Sequence, residues 1–403
     1  MAQSVWKASF DWSWIVPILL SSRPSLRRAA DHALRSQLMS RFNTSIPCLI
    51  LWFGFSTDLP AQDSPQYSAD GITVPAAKAD EPTAELSIEK AALHLDHGAA
   101  AWSKQKNCVS CHTNGTYLFI RPELSRTLGK PASDVRDFSV AQLKTLKETG
   151  ARKLKRSGTR PAQVIYIAAG LAEWDAHITK TLSPETDEAL RLVFDMQNKD
   201  GTWHSLTCWP PFESSAYQEA HMAAMAVGTA PGWLESIRED EEMSTKVELL
   251  KSYLRETPPP HDYARVLKLW TSFRLDGLMQ ETEQIEIVDM LRKLQQVDGG
   301  WSIRTFAAPD AWGGGNRAGK IRGESDFEQP ASDGHMTGLA LLVLQAAGVS
   351  SKDEQIQSGL QWLRANQRES GRWWTRSLNT DKWHFITYSG TAYALLALQN
   401  ATK

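Results

Sequence analysis

One sequence frame, Q-x-x-[DS]-G-x-W, occurs three times in the chain: QNKDGTW at 197–203, QQVDGGW at 295–301 and QRESGRW at 367–373. Three copies in one register indicate a repeated structural unit. An amphipathic helical pattern precedes each copy, and a segment that is small and apolar on most sides follows it. We therefore predict an all-α protein built from pairs of helices, each pair with an outer helix, a loop and a buried inner helix.

The spacing of the three copies sets the number of pairs. Two further helical pairs without the loop frame are predicted, at 140–174 and at 246–270, and a first pair precedes them near Gln105. The total is about six pairs. One pair cannot bury its apolar face alone, so we expect the pairs to close into a single α/α toroid.

The Gln and Trp loops resemble the QW repeats of squalene-hopene cyclases and related terpenoid cyclases, over roughly residues 86–400. That resemblance implies the toroid fold and structural roles for the frame residues Gln197, Trp203, Gln295, Trp301, Gln367 and Trp373. It also implies an acid in a D-x-D-D motif, which is absent from this sequence. Asp333 is the weak candidate for a catalytic acid that replaces it.

The first pair carries KQKNCVSCHTNG at 104–115, in which two cysteines and a histidine form C-x-x-C-H. When the Q-x-x-[DS]-G-x-W frame is aligned with this segment, Gln105 falls at the Gln position, Cys108 at the Asp position and Cys111 at the Trp position. Two thiols at this spacing can form thioethers to haem, and the next histidine can bind the iron. We therefore expect one covalent haem c, with His112 as the proximal ligand.

Two alternatives remain open for these residues. Zinc could be held by the two thiols and His112, with Cys208 as a candidate fourth ligand. A simple or redox-active disulfide between Cys108 and Cys111 is the other alternative.

The distal side of the haem would come from the rest of the fold. AHMA at 220–223 matches GHMT at 334–337, near the start of two inner helices. His221 or His335 is therefore the candidate distal iron ligand, and the alternative is that each imidazole bonds to a neighbouring helical pair.

The long insert at 302–329 and several tryptophans supply further candidates. Basic residues of the insert could pair with haem propionates or an anionic substrate, unless they belong to an ordinary charged surface loop: Arg304, Arg317, Lys320 and Arg322. The candidate cavity walls, which could equally be core packing, are Trp209, Trp312 and Trp383.

The N-terminal region is interpreted as an over-called gene start plus a secretory signal over 1–61, followed by a disordered linker over 62–84 and the toroid over 85–403. The apolar run at 46–55 is short for a membrane span, so the mature chain is expected to have no transmembrane anchor. Export fits haem c attachment and predicts a periplasmic or secreted protein. The net charge of -2 gives no reason to expect a nucleic-acid partner.

These observations favour an exported haem c-binding toroid, acting in electron transfer or as a haem-dependent oxidoreductase, with a redox partner and a hydrophobic small molecule in its cavity. The first alternative is a terpenoid cyclase-like enzyme without the usual acid motif. The second is a non-catalytic scaffold stapled by zinc or a disulfide.

Overall fold

Helices form most of the computed structural model, which describes residues 64–207 and 209–402. The α-helices of these residues are, in chain order, α1 (Ile88–Lys106), α2 (Asn114–Ile120), α3 (Ser125–Leu128), α4 (Asp134–Thr149), α5 (Ala151–Leu154), α6 (Arg160–Trp174), α7 (Pro184–Asp195), α8 (Ala216–Thr229), α9 (Trp233–Ser236), α10 (Glu241–Glu256), α11 (Asp262–Ser272), α12 (Glu281–Lys293), α13 (Ala318–Arg322), α14 (Gly334–Ala346), α15 (Glu354–Asn366) and α16 (Ile386–Asn400). The predicted all-α class is confirmed.

Short elements complete the secondary structure. Two antiparallel strands, β1 (Tyr67–Ala69) and β2 (Ile72–Val74), form a hairpin ahead of α1. A π-helical turn, Asp175–Thr179, extends α6, and two 3-10 segments, Ile303–Phe306 and Pro309–Gly315, lie in the long insert.

The longer helices fall into two sets. The core helices, which are buried along most of their length, are α2, α6, α8, α11, α14 and α16. The surface helices, which bury one side, are α1, α4, α7, α10, α12 and α15. Helix α12, for instance, buries only Ile287 and Leu291. The two sets alternate along the chain as six pairs. This order is expected where an amphipathic helix is followed by an apolar one, because the amphipathic helix buries one face and the apolar helix is buried all round.

Each core helix contacts the next one along the chain. The contacts run from α2 to α6, α8, α11, α14 and α16, and α16 in turn contacts α2. The sequence of contacts therefore returns to its starting helix.

The tryptophans of the three Q-x-x-[DS]-G-x-W loops are buried, with at most 1% of their surface exposed. Each indole Nε1 donates to a carbonyl ten residues earlier: Trp203 to Val193 (2.7 Å), Trp301 to Leu291 (2.8 Å) and Trp373 to Leu363 (2.8 Å). Each side chain therefore fills the interior and fastens its loop to the preceding surface helix.

The glutamines of the same loops connect one pair of helices to another. Each Nε2 donates to a carbonyl in the first turns of a later surface helix, or at the cap of α1: Gln197 to Lys246 (3.0 Å), Gln295 to Gln355 (2.8 Å) and Gln367 to Ser87 (2.9 Å). The Ser87 amide also donates to Gln367 Oε1 at 2.6 Å. Because Ser87 caps α1, the last loop is fastened to the first helix.

Residues 64–84, within the range expected to be a disordered linker, contain the β1–β2 hairpin and contact the helical body. The β1–β2 hairpin packs on α1, and Tyr67 is fully buried. The Arg372 guanidinium donates to the Pro75 carbonyl at 2.8 Å, and the Ala84 amide donates to the Gln367 carbonyl at 2.9 Å. The segment is ordered because its apolar side chains and backbone groups find partners in the helical body.

The gene start and signal predicted within 1–61, together with Cys208, lie outside the residues that the structure describes. Within the described ranges, no helix combines the length and the apolar character that crossing a membrane requires.

Candidate functional site

The cysteine loop, residues 107–113, joins α1 to α2. Asn107 ends α1 in the left-handed conformation (φ 50°). The Asn114 side chain then holds the loop from inside, since its Oδ1 accepts from the Ser110 amide at 2.8 Å and its Nδ2 donates to the Cys108 carbonyl at 3.1 Å. Trp102 Nε1 donates to the same carbonyl at 3.1 Å. Polar side chains therefore fix the backbone around both cysteines.

Cys108, Cys111 and His112 all line one cavity of about 520 Å³. That volume lies within the range of small-molecule and cofactor sites. Four aromatic side chains from later in the chain also line this cavity: Trp209, Phe212, Trp383 and Phe385. The structure thus brings the predicted haem-binding residues together on an apolar space.

The three candidate wall tryptophans differ in position. Trp209 and Trp383 line the cavity, and Trp209 is 48% exposed at its mouth. Trp312 is fully buried elsewhere, with its ring 4.7 Å from that of His261 and 5.5 Å from that of Tyr263. Trp312 is therefore a core residue.

Both thiols of the site are disfavoured as thiolates. Burial raises the pKa of Cys111 well above its ordinary value, and the neighbouring carboxyls of Glu213 and Glu219 raise it further. The Cys111 thiol donates to Glu213 Oε1 at 3.5 Å. Burial also raises the pKa of the half-buried Cys108 thiol. Zinc binds cysteine as the charged thiolate, whereas the sulfur of a thioether carries no charge.

The His112 ring is neutral and held on three sides. Burial lowers the pKa of His112 to about 3. The ring stacks on Phe385 at 4.5 Å between centroids, and Trp102 meets it edge-on at 4.8 Å. Its Nδ1 bonds to Thr113 Oγ1 at 2.7 Å, which leaves Nε2 for a metal. A neutral imidazole with one nitrogen engaged is the usual form of a histidine ligand.

Two buried carboxyl groups near Cys111 were not predicted from the sequence. Glu213 lines the cavity, and its Oε2 is buried without a hydrogen-bond partner in the described part of the chain. Burial raises the pKa of Glu213 to about 7, so it is about half protonated at neutral pH and largely protonated below it. Glu219 is fully buried, and burial followed by the charge of Glu213 raises its pKa well above the usual value.

The candidate distal histidines lie elsewhere, and neither lines the cavity. His335 has both ring nitrogens engaged, Nε2 with the Tyr263 hydroxyl at 3.0 Å and Nδ1 with Ser389 Oγ at 2.8 Å. His221 Nδ1 bonds to Thr271 Oγ1. These partners belong to neighbouring core helices. Each imidazole therefore links two helical pairs, which is the alternative to iron binding given above.

Asp333, the weak catalytic candidate, caps α14. Its Oδ1 accepts from the Met336 amide at 2.9 Å and from the Thr375 hydroxyl at 3.2 Å, and its Oδ2 accepts from the Ile303 amide at 2.6 Å. Its carboxylate lies outside the cavity that holds the cysteines. The contacts of Asp333 are those of a structural N-cap.

The basic residues of the long insert do not line the cavity either. Arg304 and Lys320 pair with Glu324, which is buried, and Arg322 pairs with Asp310. Arg317 Nε donates to Oδ1 of Asn379, a residue of the cavity wall, at 3.2 Å. Lys320 Nζ also donates to the carbonyl of Ser377, another residue of the cavity wall, at 3.2 Å. The insert therefore contacts the cavity wall from behind, through Asn379 and Ser377.

No known protein-family model matches this chain, and no curated protein matches its sequence.

Proposed function

We propose that this chain is an exported protein that carries one covalent haem c on an α/α toroid. Its role is electron transfer, or oxidation and reduction of an apolar ligand. One observation carries the proposal: Cys108, Cys111 and His112 line a single cavity whose lining also includes several aromatic side chains.

Two features support the toroid. The contacts between core helices return from α16 to α2. The Gln367 side chain bonds to both backbone groups of Ser87, so the last helical pair is joined to the first. Six pairs are enough for one ring, and closure lets each pair bury its apolar face on two neighbours.

The residues present fit a covalent haem. Thioethers at Cys108 and Cys111 would place no charge in a wall that disfavours it, and Nε2 of the neutral His112 would bind the iron. When bound, haem supplies one-electron transfer and an iron site for small ligands.

The chain's own residues bind and orient this group and exclude water from it. Phe385 and Trp102 fix the plane of the His112 ring. Trp209 and Trp383 add apolar surface to the lining of the cavity. Glu213 places one carboxyl group on the wall beside Cys111, where a protonated acid can donate a hydrogen bond to a ligand.

Haem content tests the proposal directly. The full chain is expressed in a host with cytochrome c maturation machinery and examined by pyridine haemochrome spectrum and by intact mass. We expect one haem that survives denaturation, and none in the double variant Cys108→Ala, Cys111→Ala. Cys208→Ala is the matched control and should keep its haem. A secreted wild-type protein with the bare polypeptide mass would overturn the proposal.

The same preparations separate the alternatives. Stoichiometric zinc without a Soret band would indicate the stapled scaffold. Turnover of squalene by a colourless preparation would indicate the terpenoid cyclase-like enzyme, although Asp333 itself makes the contacts of a structural cap and does not line this cavity.

A further inference from the structure

A chain of hydrogen bonds leads from His112 into the N-terminal hairpin. His112 Nδ1 lies 2.7 Å from Thr113 Oγ1, which lies 2.9 Å from the Tyr67 hydroxyl. Gln66 Nε2 donates to that hydroxyl at 3.2 Å. Gln66, Tyr67 and Thr113 are all buried, so these bonds form in a medium of low dielectric, where each polarises the next.

The Tyr67 ring is part of the same aromatic group that holds the imidazole. It meets Trp102 edge-on at 5.8 Å and stacks on Phe385 at 6.1 Å. These two rings are the ones that flank His112. Burial raises the pKa of Tyr67, so the hydroxyl remains a neutral hydrogen-bonding group.

The third Trp loop fixes the position of the hairpin. Arg372, one residue before Trp373, donates to the Pro75 carbonyl at 2.8 Å and to Glu81 Oε2 at 2.9 Å. The Ala77 amide donates to Gln66 Oε1 at 3.2 Å. The hydroxyl of Tyr67 is therefore held toward Thr113 from outside the cysteine loop.

We propose that Thr113 and Tyr67 are positioning residues for the metal-binding histidine: Thr113 holds Nδ1 of His112, and Tyr67 acts through Thr113. The redox consequence of this inference rests on the proposed haem function, whereas the bonds themselves do not. With a metal on Nε2, Nδ1 carries the ring proton and donates to Thr113 Oγ1, and the Thr113 hydroxyl in turn donates a hydrogen bond to the Tyr67 oxygen. Such second-shell bonds raise the basicity of the ligand, which favours the oxidised metal.

The midpoint potential of the haem-loaded protein tests the inference. Thr113→Val removes the acceptor, and we expect a rise equivalent to about tenfold in the ratio of reduced to oxidised protein, about 59 mV for one electron. Thr113→Ser keeps the hydroxyl and should restore the wild-type potential. Tyr67→Phe should raise the potential by a smaller amount, and the double variant Thr113→Val, Tyr67→Phe by no more than Thr113→Val alone.

Tyr117→Phe is the matched control, because it removes another buried hydroxyl, bonded to Asp96 at 2.8 Å, without touching His112. Its potential should equal that of the wild type. An unchanged potential in Thr113→Val, or an undiminished effect of Tyr67→Phe in the Thr113→Val background, would overturn the inference.

A second measurement separates this inference from the proposed function. In the haem-free variant Cys108→Ala, Cys111→Ala, the 15N chemical shifts of the His112 ring report the bond at Nδ1. If no preparation holds haem but Thr113→Val still moves those shifts, the positioning role stands and the haem proposal fails. If haem is present and neither the shifts nor the potential respond, the positioning role fails alone. With no haem and no shift change, both fail.

Discussion

The cysteine loop and the three Trp loops occupy equivalent points of the repeat but are held in different ways. In each Trp loop, one large buried side chain fills the interior, and a glutamine bonds to another surface helix. In the cysteine loop, the position of the Trp is taken by Cys111, and Gln105 is exposed within α1. The aligned frame at 105–111 therefore does not carry the contacts of the other three.

Support for the cysteine loop comes instead from Asn114, Trp102 and the N-terminal hairpin. The Trp loops hold helical pairs together, whereas the cysteine loop borders a cavity. Where the clamp is a tryptophan, the interior is filled, and where two cysteines replace it, a space of about 520 Å³ remains.

The largest effect expected from this comparison follows removal of a tryptophan. Trp301→Ala should lower the free energy of unfolding by about 3–5 kcal/mol, because it leaves a cavity and removes the bond to the Leu291 carbonyl. Cys111→Ala in haem-free protein should cost about 1 kcal/mol. Urea unfolding measures both, and Trp209→Ala, at a 48% exposed site, is the control. Equal losses for Trp301→Ala and Cys111→Ala would break the distinction.

The two regions should respond to pH with opposite signs. The folded-state pKa of Glu213 is raised to about 7 by burial, so the unfolded chain releases that proton first, and stability falls as pH rises from about 4.5 to 7. Glu213→Gln should therefore stabilise haem-free protein at pH 8, by up to about 3 kcal/mol, and change little at pH 4.

Asp200 of the first Trp loop is the counterpart of Glu213. A hydrogen bond from Thr202 lowers the pKa of Asp200, so its contribution to stability is present at neutral pH and is lost as pH falls through the folded-state pKa. Asp200→Asn should therefore destabilise the protein slightly at pH 7, and stability measured from pH 3 to 8 checks both signs. A stabilised Asp200→Asn variant at pH 7 would contradict the assignment.

A smaller effect is expected at the residues with left-handed backbone. Gly299 has φ 89°, and a Cβ there would lie 2.7 Å from the Ser358 carbonyl oxygen on α15. Gly299→Ala should cost about 1–3 kcal/mol through strain. In the cysteine loop the left-handed residue is Asn107, and Asn107→Gly should be tolerated within about 0.5 kcal/mol. Thermal unfolding of the two variants measures the difference in stability loss. A loss for Asn107→Gly as large as that for Gly299→Ala would contradict the prediction.

The smallest expected difference concerns the glutamines. Gln367→Ala breaks the bonds to both backbone groups of Ser87 and should cost about 1–2 kcal/mol. Gln105→Ala at the equivalent exposed position should stay within about 0.5 kcal/mol. Denaturant midpoints at constant m-value measure both. A loss at Gln105 as large as at Gln367 would mean that the first loop is clamped like the others.

The sequence was informative where structure is local or repeated. The helices follow from apolar periodicity, and the three loops follow from one recurring frame. The N-terminal hairpin was missed because its composition resembles a linker, although Asp70-Gly71, with φ 49° and 80°, is a hairpin turn signal between two short strands.

For the candidate site too, the residues of a local motif could be predicted from the sequence, and those brought in from distant parts of the chain could not. Cys108, Cys111 and His112 could be selected from one pentapeptide. Glu213 could not, because its hydrogen bond to Cys111 spans 102 residues and its pKa depends on burial that no local pattern records. His221 and His335 match each other in sequence, and in the structure both imidazoles form hydrogen bonds between core helices.

The bond between Gln367 and Ser87 has a consequence for the order of events during biosynthesis. The cysteines leave the ribosome early, whereas Gln367, Arg372 and Phe385, which fasten the hairpin and wall the cavity, leave it last. Domains cannot finish folding before their final segments emerge. Both thiols therefore stay accessible for most of translation, and completion of the C-terminal helices ends that interval.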